Sequence, residues 1–151
     1  MNTITRRTMQ LTARIIDTVT AAYIDAVFFT DTGDADQPDS DTPLAASSRD
    51  AARIDCWGFL INCDRAGLLD RIASTTMTWD AIGHDFWLTR NHHGAGFWDR
   101  GLGDLGKQLT DLAHAAGECN TFEADGELVL DAHWFSPSNC AAANISLPVE
   151  G

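Results

Sequence analysis

The sequence predicts one α+β domain that is mainly helical, with about four helices and a small C-terminal antiparallel β-hairpin. Apolar residues recur at helical spacing in several separate segments, and a later segment alternates around a turn dipeptide as a hairpin does. A chain of 151 residues with 44% hydrophobic side chains suits a single core. Since neither a repeat nor a change in composition marks a boundary, we expect residues 1–151 to form one domain.

The first predicted helix covers residues 11–29, where an apolar stripe is formed by Ile15, Val19, Ala22, Ala26 and Phe29. Residues 31–42 are polar and acidic and contain Gly and Pro, so we expect an exposed, mobile acidic loop. Asp41 or Thr42, followed by Pro43, has the pattern of an N-cap and first helical position. The second helix is then expected to begin at Pro43.

This second helix runs to about Asn62, and its predicted inner face consists of Ala52, Cys56, Phe59, Leu60 and Cys63. Gly67 interrupts the pattern, and a short continuation follows with Leu68, Leu69 and Ile72. Thr78 is the expected N-cap of a third helix ending near Asn91, whose stripe contains Trp79, Ile82, Phe86 and the aliphatic stem of Arg90.

A fourth helix is predicted by the spacing of Leu102, Leu105, Leu109, Leu112 and Ala116, and Gly117 should end it. Residues 119–134 predict the β-hairpin, with Asp125 and Gly126 at its turn. Residues 136–151 are rich in Pro, Ser and Ala, which indicates a loosely held tail.

The net charge of −12 limits the classes of partner. An acidic surface repels phosphate backbones and anionic lipids, so we expect neither direct nucleic-acid binding nor membrane binding. Such a surface suits a protein partner with a basic surface, including one whose site normally holds DNA or RNA. The simpler alternative is that the acidity only keeps the protein soluble.

The four cysteines contain no CxxC pair, and Cys56 and Cys63 fall on one helix face, as core thiols would. The N-terminal segment does not have the apolar run of a secretory signal, and no stretch approaches the roughly 18 apolar residues of a membrane span. We therefore expect free thiols in a cytoplasmic protein.

The segment GLGDLGKQ, residues 101–108, matches G-x-G-x-x-G and most of a phosphate-binding loop. The preceding residues do not predict a strand, and Gln108 stands where the phosphate loop needs Ser or Thr. Asp104 would also direct a carboxylate at the phosphates. The sequence thus argues against a nucleotide site, and we expect no cofactor.

A second set has the residue types of a metal site, namely His84, Asp85, His93 and Asp99. Neighbouring residues such as His84 and Asp85 point about 100° apart on a helix, so they share one ion only if the chain bends. A structural role for each histidine is the alternative, and no residue pattern identifies a catalytic nucleophile.

The segment HGAGFWDRG predicts a Gly-hinged aromatic corner that packs back onto the third helix. Its alternative is an interaction patch, because aromatic and Arg side chains are enriched at protein interfaces. The candidate patch residues are Trp87, Arg90, Asn91, His93, Phe97, Trp98, Asp99 and Arg100.

The segment GHDFWLTRNHHGAGFWDR resembles a family of small bacteriophage and prophage proteins that share GHDFWLTRNGHGAGFWDR followed by a helix with an LG pair. The upstream segment AYIDAVFFT is similar to that family's N-terminal portion. The resemblance implies a phage or mobile-element origin and expression in a bacterial host, and it supplies no catalytic role. His92 replaces a family Gly, so a left-handed turn that requires Gly at this position is expected either to be absent or to move to Gly94.

These observations favour a small acidic phage accessory protein that binds a host or phage protein, such as a component of a nucleic-acid-handling or defence system. The alternative is a metal-dependent enzyme that uses His84, Asp85, His93 and Asp99. A third hypothesis is a component of the virion or of its assembly.

Overall fold

The structure is a computed structural model, and it describes residues 10–131. It confirms the mainly helical α+β class. The elements are α1 (Ala13–Asp31), α2 (Ala46–Arg65), α3 (Leu69–Ala73), α4 (Trp79–Arg90), a 3-10 helix (Phe97–Asp99), α5 (Asp104–Ala115), β1 (Asn120–Ala124) and β2 (Glu127–Asp131). The predicted tail, residues 136–151, lies outside the described residues. No helix in the described part has the length and apolarity needed to cross a bilayer.

Helices α1 and α4 pack closely at the centre of the molecule. Gly83 permits this approach, because a Cβ atom there would collide with the backbone carbonyl of Val19. Phe86, one turn farther along α4, stacks on Phe59 of α2 with ring centroids 4.2 Å apart and lies 5.4 Å from the ring of Tyr23 in α1. The aromatic rings of three helices therefore share one core.

Helix α4 begins where the sequence predicts, and helix α2 does not. The Thr78 hydroxyl accepts a hydrogen bond from the Ala81 N–H at 3.1 Å, as an N-cap should. The prediction that α2 begins at Pro43 is wrong, because this segment extends the sheet: the Ala45 N–H donates to the Leu128 carbonyl at 2.9 Å, and the Leu128 N–H donates to the Pro43 carbonyl at 2.8 Å. Helix α2 consequently begins only at Ala46.

The β-hairpin has the predicted turn. Asp125 and Gly126 have φ values of 53° and 78°, the two positive angles that a type I′ turn requires. The Thr121 hydroxyl donates to Asp31 at 2.7 Å, and the Leu130 N–H donates to the buried Ser48 hydroxyl at 2.9 Å. These bonds fasten the hairpin to the end of α1 and the start of α2.

The acidic loop, residues 31–42, is exposed but internally bonded. The Gln37 side-chain amide donates to the Thr30 carbonyl at 3.0 Å, and the Gly33 N–H donates to the Pro38 carbonyl at 2.9 Å. These two hydrogen bonds connect the loop to the end of α1 and close a turn within it. Phe29, just before it, is 76% exposed, so its predicted place on the inner stripe of α1 is wrong.

Candidate functional site

Arg90, a predicted patch residue, is a buried structural residue with 1% of its surface exposed. Its guanidinium donates to Asp55 at 2.7 Å, to the Tyr23 hydroxyl at 3.0 Å, and to the carbonyls of Gly117 and Ala116 at 2.7 and 3.1 Å. Arg90 therefore links α1, α2 and α4 to the C-terminal end of α5. Sequence spacing gave no sign of this cluster, because Asp55 and Tyr23 are remote from Arg90 along the chain.

The groups around Arg90 stabilise its buried positive charge. Burial opposes the guanidinium charge, yet Tyr23 and Asp55 raise the pKa of Arg90 overall. Burial likewise raises the pKa of Tyr23 well above 10.0, although Arg90 acts in the opposite direction. Removing Arg90 would take from the buried Asp55 carboxylate the cation that lies 2.7 Å from it, and breaking a buried pair in this way is costly.

The residues after α4 form the predicted aromatic corner only in part, because Phe97 packs inward and Trp98 does not. Phe97 is fully buried and lies 5.8 Å from the ring of Phe59, whereas Trp98 is 57% exposed. Asp99 accepts a hydrogen bond from the Gly96 N–H at 3.1 Å and so closes the 3-10 helix. Arg100 donates to both carboxylate oxygens of the buried Asp85, at 2.8 and 2.7 Å, and the hydrogen bonding with Asp85 raises the pKa of Arg100.

Only some residues of the predicted interaction patch are exposed, so the prediction is wrong for the buried ones. Trp87, Arg90 and Phe97 are core side chains, with exposed fractions of 1%, 1% and 0%, so a partner cannot contact most of their surface. The remaining candidates are at least partly accessible: Asn91, His93, Trp98, Asp99 and Arg100. These belong to two places, a groove described below and the corner.

The proposed metal ligands do not gather into a site. Asp85 is held by Arg100, and the His84 ring packs near Phe29 with centroids 6.1 Å apart. His93 lies in the groove, and Asp99 closes the corner. Among residues 10–131, no group of three or more His, Cys, Asp or Glu side chains has a metal-binding arrangement.

His92 keeps the left-handed turn that was expected to be absent or to move to Gly94. Its φ is 58°, its N–H donates to the Thr89 carbonyl at 3.1 Å, and the His93 N–H donates to the Leu88 carbonyl at 2.9 Å. These two bonds form a Schellman motif at the end of α4, with histidine at the position that favours Gly. The left-handed turn is thus neither absent nor moved to Gly94, and both expectations are wrong.

The glycines of GLGDLGK have structural roles. Gly101 and Gly103 have φ values of 71° and 62° in the turn before α5. Gly106 lies inside α5 against the 3-10 helix, where a Cβ atom would come within 2.9 Å of the Phe97 carbonyl oxygen. A 3-10 helix precedes this segment where dinucleotide binding requires a strand.

The described cysteines are core thiols, as predicted for Cys56 and Cys63. These two and Cys119 are free and buried. Burial raises the pKa of Cys119 to about 11, and it also raises the pKa values of Cys56 and Cys63. Thiolate chemistry is therefore suppressed at all three.

A groove of about 370 Å³ lies where the hairpin meets the ends of α1 and α4. We call it the acidic groove, and its lining residues are Asp31, Trp87, Asn91, His93, Glu118, Cys119, Asn120 and Thr121. Trp87, Asn91 and His93 were candidates from the sequence. The others were missed because they come from the ends of α1 and α5 and from β1, which meet only in the fold.

Hydrogen bonds fix the walls of the acidic groove. The Trp87 indole N–H donates to the Thr30 hydroxyl at 2.9 Å, and the Asn91 carboxamide oxygen accepts from the Cys119 N–H at 2.8 Å. The His84 ring on α4 lies 6.1 Å from the exposed ring of Phe29 on α1. A groove whose walls are fixed by hydrogen bonds is a candidate binding surface.

Comparison with protein-family models, with curated proteins and with solved structures finds no match to this chain.

Proposed function

We propose that the protein is a small acidic accessory protein of a phage or mobile element that acts in the bacterial cytoplasm by binding a protein with a basic surface. The observation that carries this proposal is Phe29, a large apolar side chain that is 76% exposed beside the acidic loop. An exposed aromatic anchor next to fixed carboxylates suits a partner that offers an apolar pocket bordered by Lys and Arg.

The charge around Phe29 is strongly asymmetric. The acidic loop carries Asp31, Asp34, Asp36, Asp39 and Asp41 and no basic residue. Gln37 holds this loop against the end of α1, which places its carboxylates beside the Phe29 segment. A cluster of carboxylates beside an exposed ring gives the surface both an ionic and an apolar means of contact.

A basic partner in a bacterial cell is commonly a protein that handles nucleic acid, since such proteins present Lys and Arg to phosphate groups. An acidic protein that occupies such a surface competes with DNA or RNA. This supports inhibition of a host defence or nucleic-acid-processing component as the biological role, in keeping with the resemblance to phage proteins.

Affinity capture from host lysate tests the proposal. The tagged protein should retain a partner at low salt and lose it at high salt, because ionic attraction between exposed charges is screened. Phe29→Ser should weaken capture, while Phe122→Ser removes another exposed ring, 51% accessible on β1, and should leave capture unchanged. Added duplex DNA should displace the partner. If no partner is retained, or if the Phe29→Ser protein captures as well as the parent, the proposal fails.

The metal-dependent enzyme is not supported by the geometry. Asp85 uses both carboxylate oxygens on Arg100, and His84 and His93 lie in different surroundings along α4 and beyond its end.

A further inference from the structure

We infer that the acidic groove binds an arginine side chain of the basic partner. This inference rests on the proposed function and deepens it, because it names the chemical group recognised at one place on the surface. The occupant is a guanidinium group, and the groove volume of about 370 Å³ is at the small end of ligand sites, which suits one side chain.

Three helices end around the acidic groove. Asp31 is the last residue of α1, Asn91 is the C-cap of α4, and Glu118 lies just beyond the end of α5. The C-terminal end of a helix carries a partial negative charge from its aligned carbonyl groups. The three ends thus add a negative potential to the carboxylates of Asp31 and Glu118, and the groove attracts a cation.

The interior already shows what these helix ends bind. Immediately inside the molecule, Arg90 donates to the carbonyls of Ala116 and Gly117 at the end of α5. Glu118 and Cys119, the next two residues, line the groove. The same turn therefore presents carbonyl groups to a guanidinium inside the protein and a carboxylate to the groove outside.

The remaining lining groups favour guanidinium over ammonium. Asp31 and Glu118 come from different elements and can receive separate N–H groups of a planar fork, which a compact ammonium matches less well. Trp87 borders the groove but is 1% exposed, so it serves as a reporter of binding and not as a stacking surface.

Binding of N-acetyl-arginine amide to the isolated protein tests this inference without the partner. In a two-dimensional NMR titration at low salt, the Trp87 indole and Asn91 side-chain amide signals should shift, with a Kd on the order of millimolar. N-acetyl-lysine amide should bind more weakly. Glu118→Gln should weaken arginine binding about three- to fivefold, the usual effect of one exposed ion pair.

Glu123→Gln is the matched control, because Glu123 is an exposed residue of β1 outside the groove and its loss changes the net charge equally. Equal binding of the two amides, or equal weakening by both substitutions, would overturn the inference. So would the absence of shifts at the groove. The proposed function is tested separately by capture from lysate. If the Glu118→Gln protein captures the partner as well as the parent does, the proposed function is unaffected, but the groove is not the arginine site.

Discussion

At the scale of single residues, Arg90 determines how four segments of the chain meet. Its guanidinium is the only described group that joins Asp55, Tyr23 and the carbonyl groups at the end of α5. A carboxylate as buried as that of Asp55 is costly without this partner. The segment HDFWLTRNHHGAGFWDR thus contains a residue that holds the core together.

Replacing Arg90 with Ala should lower the free energy of unfolding by about 3–5 kcal/mol, because Asp55 would remain buried without its cation. Urea denaturation measures this change. The exposed pair between Arg53 and Asp17 is the control, and Arg53→Ala should cost less than about 1 kcal/mol. Similar losses in the two variants would contradict the role given to Arg90.

His92→Gly should raise the free energy of unfolding by about 1 kcal/mol, because glycine adopts the left-handed conformation at position 92 without the Cβ penalty. Both variants lose the ring contact with His114, whose centroid lies 4.5 Å away, but only His92→Ala keeps the Cβ penalty. The alanine variant should therefore gain nothing. Thermal denaturation compares the stability of the two variants. If the His92→Gly protein is no more stable than the His92→Ala protein, the left-handed conformation at position 92 is not a source of strain.

At the scale of elements, the contact between α1 and α4 depends on Gly83. Gly83→Ala should lower the free energy of unfolding by about 1–3 kcal/mol, since the new methyl group meets the backbone of Val19 and not a side chain that can move. Gly94→Ala is the control, because nothing lies within 4 Å of the added Cβ atom. Urea midpoints should fall for the first variant and stay near the parent for the second.

The elements that could be predicted are those whose signals are local. The Thr78 cap and the Asp125-Gly126 turn act on neighbouring backbone groups, so the sequence indicates them directly. The exposure of Phe29 could not be predicted from the sequence, because its spacing fits a helical stripe. Only the packing of α4 shows which face of α1 is covered. Pro43 was misplaced because its carbonyl bonds a strand far along the chain.

The candidate site was less predictable than the fold. Asn91 and His93 were found because they stand in an unusual segment, whereas Asp31 and Glu118 are two acids among many in the sequence. Their significance arises from the meeting of three helix ends, which spacing along the chain does not reveal. Arg90 and Trp87 were taken as surface candidates because aromatic and Arg side chains serve interfaces and cores alike.

At the scale of the whole molecule, the buried cysteine thiols make the free energy of unfolding depend on pH. In the unfolded chain a cysteine thiol has a pKa of about 8.5. In the folded protein, burial raises the pKa of Cys119 to about 11 and also raises the pKa values of Cys56 and Cys63. Between these values the folded state holds more protons than the unfolded state. The free energy of unfolding should therefore fall as pH rises through this window.

The decline should approach about 1.4 kcal/mol per pH unit for each buried thiol. Urea midpoints measured between pH 8 and pH 10, roughly, would show it. Cys63→Ala should make the decline shallower, since one titrating group is removed. A midpoint that stays constant over this range would contradict the burial of the thiols.

The central claim also belongs to the scale of the whole molecule. It is that the acidic loop and Phe29 form one surface that binds a basic protein. The most direct test compares capture from host lysate by two variants of equal net charge, each with four Asp→Asn substitutions. One variant changes the loop residues Asp34, Asp36, Asp39 and Asp41, and the other changes the exposed residues Asp64, Asp80, Asp111 and Asp125. The loop variant should lose the partner, and the other variant should retain it. Equal capture by the two variants would contradict it.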